Sequence, residues 1–327
     1  MASRRTVLGF GATALTVAAR PGLAMAQSGK VVRLIVGFAA GGATDVIARQ
    51  IADKLHEPLG EPVIVENRPG ANGLVAAGYV KTSAGDGTTL LFAPDFMFTI
   101  FPHSYRKLSF DAARDFIPVA SVGKIRVVFA VGPAVPEHVR TLADFVGWTK
   151  TNPQKAAFGS SGLGGGFHFV GVRMNRALEL DMMHVPYKGG APLLQDLVGG
   201  QIASSPVALG SVLPFVQSGK VRVLAIFSPT RSPLMPDVPT MVELGYKDFI
   251  VEQWVGIFAP ANTPQAIVKR LNSAVNEIQR SKEFTDGISK LGFETLPNTP
   301  ESFRALIRSE SDSWAQVVKA SGYVAEE

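Results

Sequence analysis

VVRLIVGFAAGGATD, residues 31–45, decides the fold. Its first half, 31–38, is an almost unbroken apolar run, as expected of a strand buried on both faces. A glycine-bearing turn follows. From Asp45 onward apolar side chains recur at helical spacing, at Ile47, Ile51 and Leu55 and at Ala48, Ala52 and Leu59. A strand that runs through a tight turn into an amphipathic helix opens a parallel α/β unit. Residues 62–66 then read as a second strand, 74–81 as a helix and 89–93 as a third strand. The rhythm is βαβαβ, a parallel sheet with helices on both faces.

A second unit of the same kind follows. A helix opens at Thr141 with a capping-box-like spacing to Asp144. Strands are expected at 156–158, 183–185 and 221–227, with helices to about Leu178, over 191–198 and over 209–218. Gly199 with Gly200, and Gly219, sit where helix C-caps belong. The last third is more helical. Thr263-Pro264 and Thr299-Pro300 each pair an N-cap residue with proline at the first helical position. Gly292 closes a shorter helix between them. No flexible linker separates the two units, so the chain reads as two lobes joined by short hinges. The crossings fall within 117–131 and 228–256. The expected lobes are 27–124 plus 228–327, and 125–227.

The chain has 327 residues, enough to bury a sizeable core without disulfides or metal. It has no cysteine, which excludes thiol nucleophiles and thiolate metal sites. The formal charge is +5, and removing Arg4, Arg5 and Arg20 of the acid-free first 26 residues leaves +2. The remaining basic residues are interspersed with acids, so composition gives nucleic-acid binding no support. Residues 1–26 read as an export signal: Arg4 and Arg5 form a basic start, an apolar stretch follows, and Ala24-Met25-Ala26 is a small-residue cleavage site. The pair also resembles a twin-arginine signal. Cleavage after Ala26 is expected, placing the mature chain in the periplasm. No later segment is apolar enough to span a membrane.

Two glycine-rich loops lie between a strand and a helix: FAAGGATD at 38–45 and GSSGLGGGFH at 159–168. Ligands of open α/β sheets sit beyond the carboxyl ends of strands. There the first turn of a helix offers unpaired N–H groups to an anion. One such loop per lobe makes a two-sided anion clamp; the plainer reading is a pair of tight turns. Enzyme motifs fail on inspection. The second loop lacks the last glycine of a dinucleotide fingerprint, and no nucleophile elbow or phosphate-binding P-loop occurs. The five histidines have no metal-ligand spacing, so neither metal nor cofactor is expected. His168 can face the cleft or cap locally. Asp45 can meet a ligand or its own helix N-terminus. Asp95, at the end of the third strand, and Tyr187, in the turn Tyr187-Lys-Gly-Gly190, are open in the same way, as is Trp254.

The segments VGFAAGGATDVIAR (36–49), VIVENRPGANG (63–73), FGSSGLGGGFH (158–168), HVPYKGGAP (184–192), RSPLMPDVPTMVELG (231–245) and FAPANTP (258–264) run in order along the mature chain. Together they resemble the tripartite tricarboxylate transporter substrate-binding proteins, the Bug family. The resemblance implies a two-lobed type II periplasmic binding fold, each lobe a mostly parallel sheet flanked by helices. It implies a small carboxylate ligand, delivered to a transporter with a large and a small integral membrane subunit, and a monomer without catalysis. Carried over, the ligand-binding positions are Phe38, Ala40, Gly41, Gly42, Thr44 and Asp45 on one lobe. On the other they are Ser160, Ser161, Gly162, Gly165 and His168, with Asp95 and Tyr187 nearby. One segment departs: after Gly199-Gly-Gln201 the family carries an acidic run, and here Val207 takes the position of an aspartate. That predicts an apolar ligand body toward Val207 and disfavours a zwitterionic amino acid. The rival readings are a periplasmic sensing module and a hydrolase using His168 with Ser160 or Ser161.

Overall fold

The computed structural model describes residues 29–325, so the expected leader and its cleavage site lie outside the described residues. The first unit is β1 (Val32–Val36), α1 (Ala43–Leu59), β2 (Val63–Asn67), α2 (Leu74–Lys81) and β3 (Thr89–Pro94). β1 pairs in parallel with both β2 and β3. Leu34 and Val36 of β1 pack with Ile47, Ala48, Ile51, Ala52, Leu55 and Leu59 of α1 in one apolar cluster. Burying each large aliphatic side chain of this stripe contributes about 1.5–3 kcal/mol. Gly60 ends α1 in the left-handed region, its N–H donating to the carbonyls of His56 and Glu57.

Two short helices, α3 (Phe96–Thr99) and α4 (Phe101–Ser104), lead to the long strand β4 (Phe116–Val131). The second unit is α5 (Leu142–Thr151), β5 (Ala157–Ser160), α6 (Gly166–Ala177), β6 (Met183–Pro186), α7 (Gly190–Val198), β7 (Ser204–Ala208), α8 (Leu209–Gln217) and β8 (Arg222–Ile226). The chain returns through β9 (Glu252–Pro260), α9 (Gln265–Arg280), α10 (Lys282–Ser289), β10 (Phe293–Glu294) and α11 (Pro300–Ser321). The strand order is β2-β1-β3-β9-β4-β7-β5-β6, with β8 and β10 also on β4. β4 is the seam. From Phe116 to Arg126 it pairs with β9, and from Val127 to Val131 it pairs with β7 and β8. One strand thus serves both lobes of a two-lobed α/β fold.

Side chains fix the seam. Arg126 bonds Glu294 of β10, and its Nη1 donates to Ser228 Oγ at 2.6 Å and the Thr230 carbonyl at 2.7 Å. Lys124 Nζ meets Glu252 at 2.7 Å. Beside them, α8 and the turn before β10 touch main chain to main chain. A Cβ on Gly210 would fall 2.1 Å from the Leu291 carbonyl oxygen, and one on Gly292 would fall 2.7 Å from the Gly210 Cα. The helix α11 lies across both lobes. Phe303, Leu306 and Ile307 enter the cluster around β3 and β9, whereas Trp314, Val317 and Val318 enter the one around α5 and α6.

Some elements differ from the sequence reading. The α9 cap falls on Pro264, at ψ 139°, not on Thr263. That extended ψ delays the helix by one residue, and Thr263 Oγ1 is left buried without a partner. Residues 204–208 form β7 despite Pro206. It pairs with β5 only at Ser204, so that ladder ends before the residue lacking an N–H.

Candidate functional site

The carboxyl ends of β1, β3, β5, β6 and β7 all lead toward helix N-termini, and those of α1, α3, α6, α7 and α8 carry no side-chain cap hydrogen bond. Elsewhere in the fold α5, α10 and α11 are capped by Thr141, Ser281 and Thr299, whereas α2, α4 and α9 are not capped by a side chain. A first helical turn without a cap leaves N–H groups and a partial positive charge for something outside the chain. Glycine occupies the cap position of α1 (Gly42), α6 (Gly165) and α7 (Gly189). A Cβ built on Gly41, Gly162 or Gly189 meets nothing within 4 Å, and one on Gly42 only touches the Ala39 carbonyl at 3.4 Å. These turns therefore face open space.

The first loop is braced from inside. Gly41 has φ 82°, which a β-carbon would strain. Its N–H donates to Asp45 Oδ2 at 2.8 Å, and Arg49 Nε donates to the same oxygen at 3.0 Å. Asn67 Nδ2 donates to Asp45 Oδ1 at 2.8 Å and to the Phe38 carbonyl at 3.1 Å. Asp45 is 2% exposed and spends its oxygens on the loop, so it is a brace and not an open ligand contact. Burial pushes its carboxyl up, but Arg49, the Gly41 N–H and Asn67 outweigh that and hold it below the usual carboxylate range. Ala40 and Gly42 are exposed and Thr44 is half-buried.

The second loop is built on two histidines. Gly164 N–H donates to His168 Nδ1 at 3.2 Å, which puts the ring proton on Nε2. The His168 ring stacks on His184 at 4.0 Å, and His184 Nε2 lies 2.7 Å from Ser160 Oγ, which donates to the Gly162 carbonyl. Burial lowers both imidazoles to about 4, so near neutrality they are uncharged. The serine partner is His184, not His168, and among the described residues no carboxylate bonds either ring. The pairing of His168 with Ser160 on which the hydrolase reading rested is not formed. Ser161 accepts the Gly189 N–H at 3.0 Å, tying the start of α7 to this loop. Tyr187 packs against Gly159 and donates its hydroxyl to Asp196 at 2.9 Å, away from the loop.

Phe96 joins the two loops. Its ring lies 6.1 Å from that of Phe38, and a Cβ on Gly166 would fall 3.7 Å from it and 2.2 Å from Gln253 Nε2. Asp95, beside it, is buried with Oδ1 unpartnered, and burial with the nearby Glu310 raises its carboxyl well above the usual range. Trp254 donates its indole N–H to Glu310 at 2.7 Å and packs on Phe303, so it fills the core beneath the cleft. Val207 is not brought to the loops. It is 4% exposed in an apolar cluster with Val128, Leu209, Val212 and Ile226. A β-branched residue paired to β4 finds its place in that core, and the expected apolar wall at Val207 is withdrawn. Phe96, Gln253, Asn67 and His184 escaped the sequence reading. Asn67 and His184 stood inside quoted segments, whereas Phe96 and Gln253 gave no local signal.

Two α/β lobes sharing one seam strand, with uncapped helix N-termini from each meeting across Phe96, define a two-lobed solute-binding protein. The chain belongs to the family described as tripartite tricarboxylate transporter family receptors, whose model matches residues 47–323. It is 33% identical to protein BugT of Bordetella pertussis over 89% of both chains. The Rhodopseudomonas palustris protein solved with adipate superposes with a TM-score of 0.82 at 30% identity, covering 90% of this chain and 97% of that one. MatC from the same organism, solved with bound malate, gives a TM-score of 0.79 at 31% identity, covering 88% and 98%. Among the described residues no helix is long and apolar enough to cross a membrane.

Proposed function

We propose that this receptor closes two lobes on a small dicarboxylate and hands it, unchanged, to a transporter with a large and a small integral membrane subunit. The observation that carries this reading is the pair of glycine-rich turns, one per lobe, whose uncapped helix N-termini come together at Phe96. Neutral backbone amides, not cations, hold the carboxylate: the loops contain no lysine or arginine, and Arg49 is engaged by Asp45. The adipate and malate of the two relatives are both dicarboxylates, which makes them the first probes. The lobes are 29–124 with 252–325, and 125–227. Residues 228–251 belong with the second lobe, because Met241, Phe249 and Val251 pack in its core. The mature monomer begins at Gln27 in the periplasm, which N-terminal sequencing checks.

The test is a thermal-shift panel of adipate, malate, citrate, benzoate and glutamate, each beside its uncharged amide. A ligand at about a hundred times its Kd adds about 2.7 kcal/mol of stability. A dicarboxylate should give the largest shift and its diamide none. Equal shifts from acid and amide, or no shift from any acid, would sink the proposal. NMR of the recovered acid after long incubation should show it unaltered.

A further inference from the structure

The last described residues of the chain touch both lobes. Tyr323, one residue past the Gly322 cap of α11, lies against the second loop. A Cβ on Gly164 would fall 2.8 Å from the Tyr323 hydroxyl and 3.0 Å from its Cε1, and Gly164 has φ 73°. The Tyr323 ring meets His168 edge-on at 5.3 Å and Phe169 at 5.7 Å. Two residues later, Ala325 bridges to Tyr105, and its N–H donates to the Ser104 carbonyl at 2.6 Å. Ser104 and Tyr105 end α4, on the side of the first loop. From there an aromatic path runs Tyr105 to Phe101 (4.8 Å), Phe101 to Phe96 (5.3 Å) and Phe96 to Phe38 (6.1 Å).

We propose that Tyr323 is a positioning residue for the second ligand loop, and that residues 323–325 strap that loop to the first lobe. The inference rests on reading the two loops as the clamp. The Gly164–His168 bond and the His168–His184 stack set the loop's shape from within its own lobe. Tyr323 presses on both Gly164 and His168 from a helix that begins in the core of the other lobe. Loop geometry and the relation of the lobes are thus fixed by one short segment. The hydroxyl lies nearest Gly164, but the ring makes the edge-on contacts with His168 and Phe169, so the ring carries the positioning.

Hydrogen exchange of the ligand-free full chain tests this apart from any question of which acid binds. Tyr323→Ala removes two edge-on aromatic contacts and should speed exchange of amides within 160–169 about tenfold. Tyr323→Phe should exchange as the wild type does. Ala325→Pro deletes the N–H given to Ser104 without touching the loop, and should also speed exchange within 160–169. Amides of β1 and β3 serve as internal controls and should keep their protection. Unchanged exchange at 160–169 in Tyr323→Ala overturns the positioning role, and so does acceleration that includes β1 and β3. An effect of Tyr323→Ala without one of Ala325→Pro overturns the strap.

Discussion

Replacing Asp45 by asparagine should cost the folded chain about 2–3 kcal/mol. The carboxylate is buried and accepts from three donors, Gly41 N–H, Arg49 Nε and Asn67 Nδ2. Asparagine fills the same space but offers one oxygen and one NH2. With its oxygen toward Gly41 and Arg49, the NH2 faces Asn67 Nδ2; turned over, it faces both other donors. Asn67 cannot turn to relieve this, because its Nδ2 also serves the Phe38 carbonyl and its Oδ1 accepts from Arg49 Nη2 at 2.9 Å. The better orientation leaves one buried donor opposed, costing about 1–3 kcal/mol. The charge lost beside the first turn of α1 adds about 0.3–1 kcal/mol. The ion pair adds little, since the Arg49 side chain is 49% exposed and water screens it. Urea denaturation at pH 7 reads the difference. The Asp45 carboxyl lies below its unfolded value, so its contribution is full above about pH 4 and is lost as pH falls through the folded value. The gap between wild type and Asp45→Asn should therefore be constant from pH 7 to 5 and begin to narrow only below about 4, as pH falls toward the lowered folded value. A gap under about 0.5 kcal/mol at pH 7, or one that does not begin to shrink as pH falls below about 4, refutes the brace.

Gly41→Ala should cost about 1–2 kcal/mol, because φ 82° strains an L side chain, and denaturation checks it. Gly42→Ala meets only the 3.4 Å contact with Ala39 and should leave stability unchanged, so any loss of affinity in calorimetry places the ligand against that residue. Glu310 is pushed up to about 7 by burial, against the Trp254 N–H and with the help of Glu252. An acid whose folded pKa is raised stabilises the fold at low pH and loses that contribution as pH climbs from the unfolded value, about 4.3, to about 7. Glu310→Gln keeps an acceptor for Trp254, so it should match wild type near pH 4 and exceed it at pH 8 in urea midpoint; equal midpoints at pH 8 remove Glu310 as a buried acid.

The β1-α1-β2-α2-β3 unit was readable because each signal is local: an apolar run, a helical stripe, a glycine stop. The seam was harder. Residues 117–131 showed as one extended run, but nothing nearby says that its first part pairs with β9 and its last part with β7 and β8. Such pairing is decided by which distant apolar faces fit. The loops were legible as positions, not as roles. Asp45 looked like either a cap or a contact until Asn67, on the next strand, claimed one of its oxygens. Val207 misled because a substitution at a ligand-facing alignment position says nothing of where the new side chain turns. An apolar one turned into the core under α7 and α8. Tyr323 carried no signal at all, since its partner is a glycine far back in the chain.

The main-chain seat between Gly210 and Leu291-Gly292 has a mechanical consequence. It lies next to the point where β10 joins β4, with no rotamer between the two surfaces. Side chains can be compressed or swung aside; carbonyls and α-carbons in fixed elements cannot. The seat therefore sets the spacing between α8 and the turn before β10 by backbone alone. A single methyl group on Gly210 would act as a shim between these two surfaces, because neither has a side chain there that can yield.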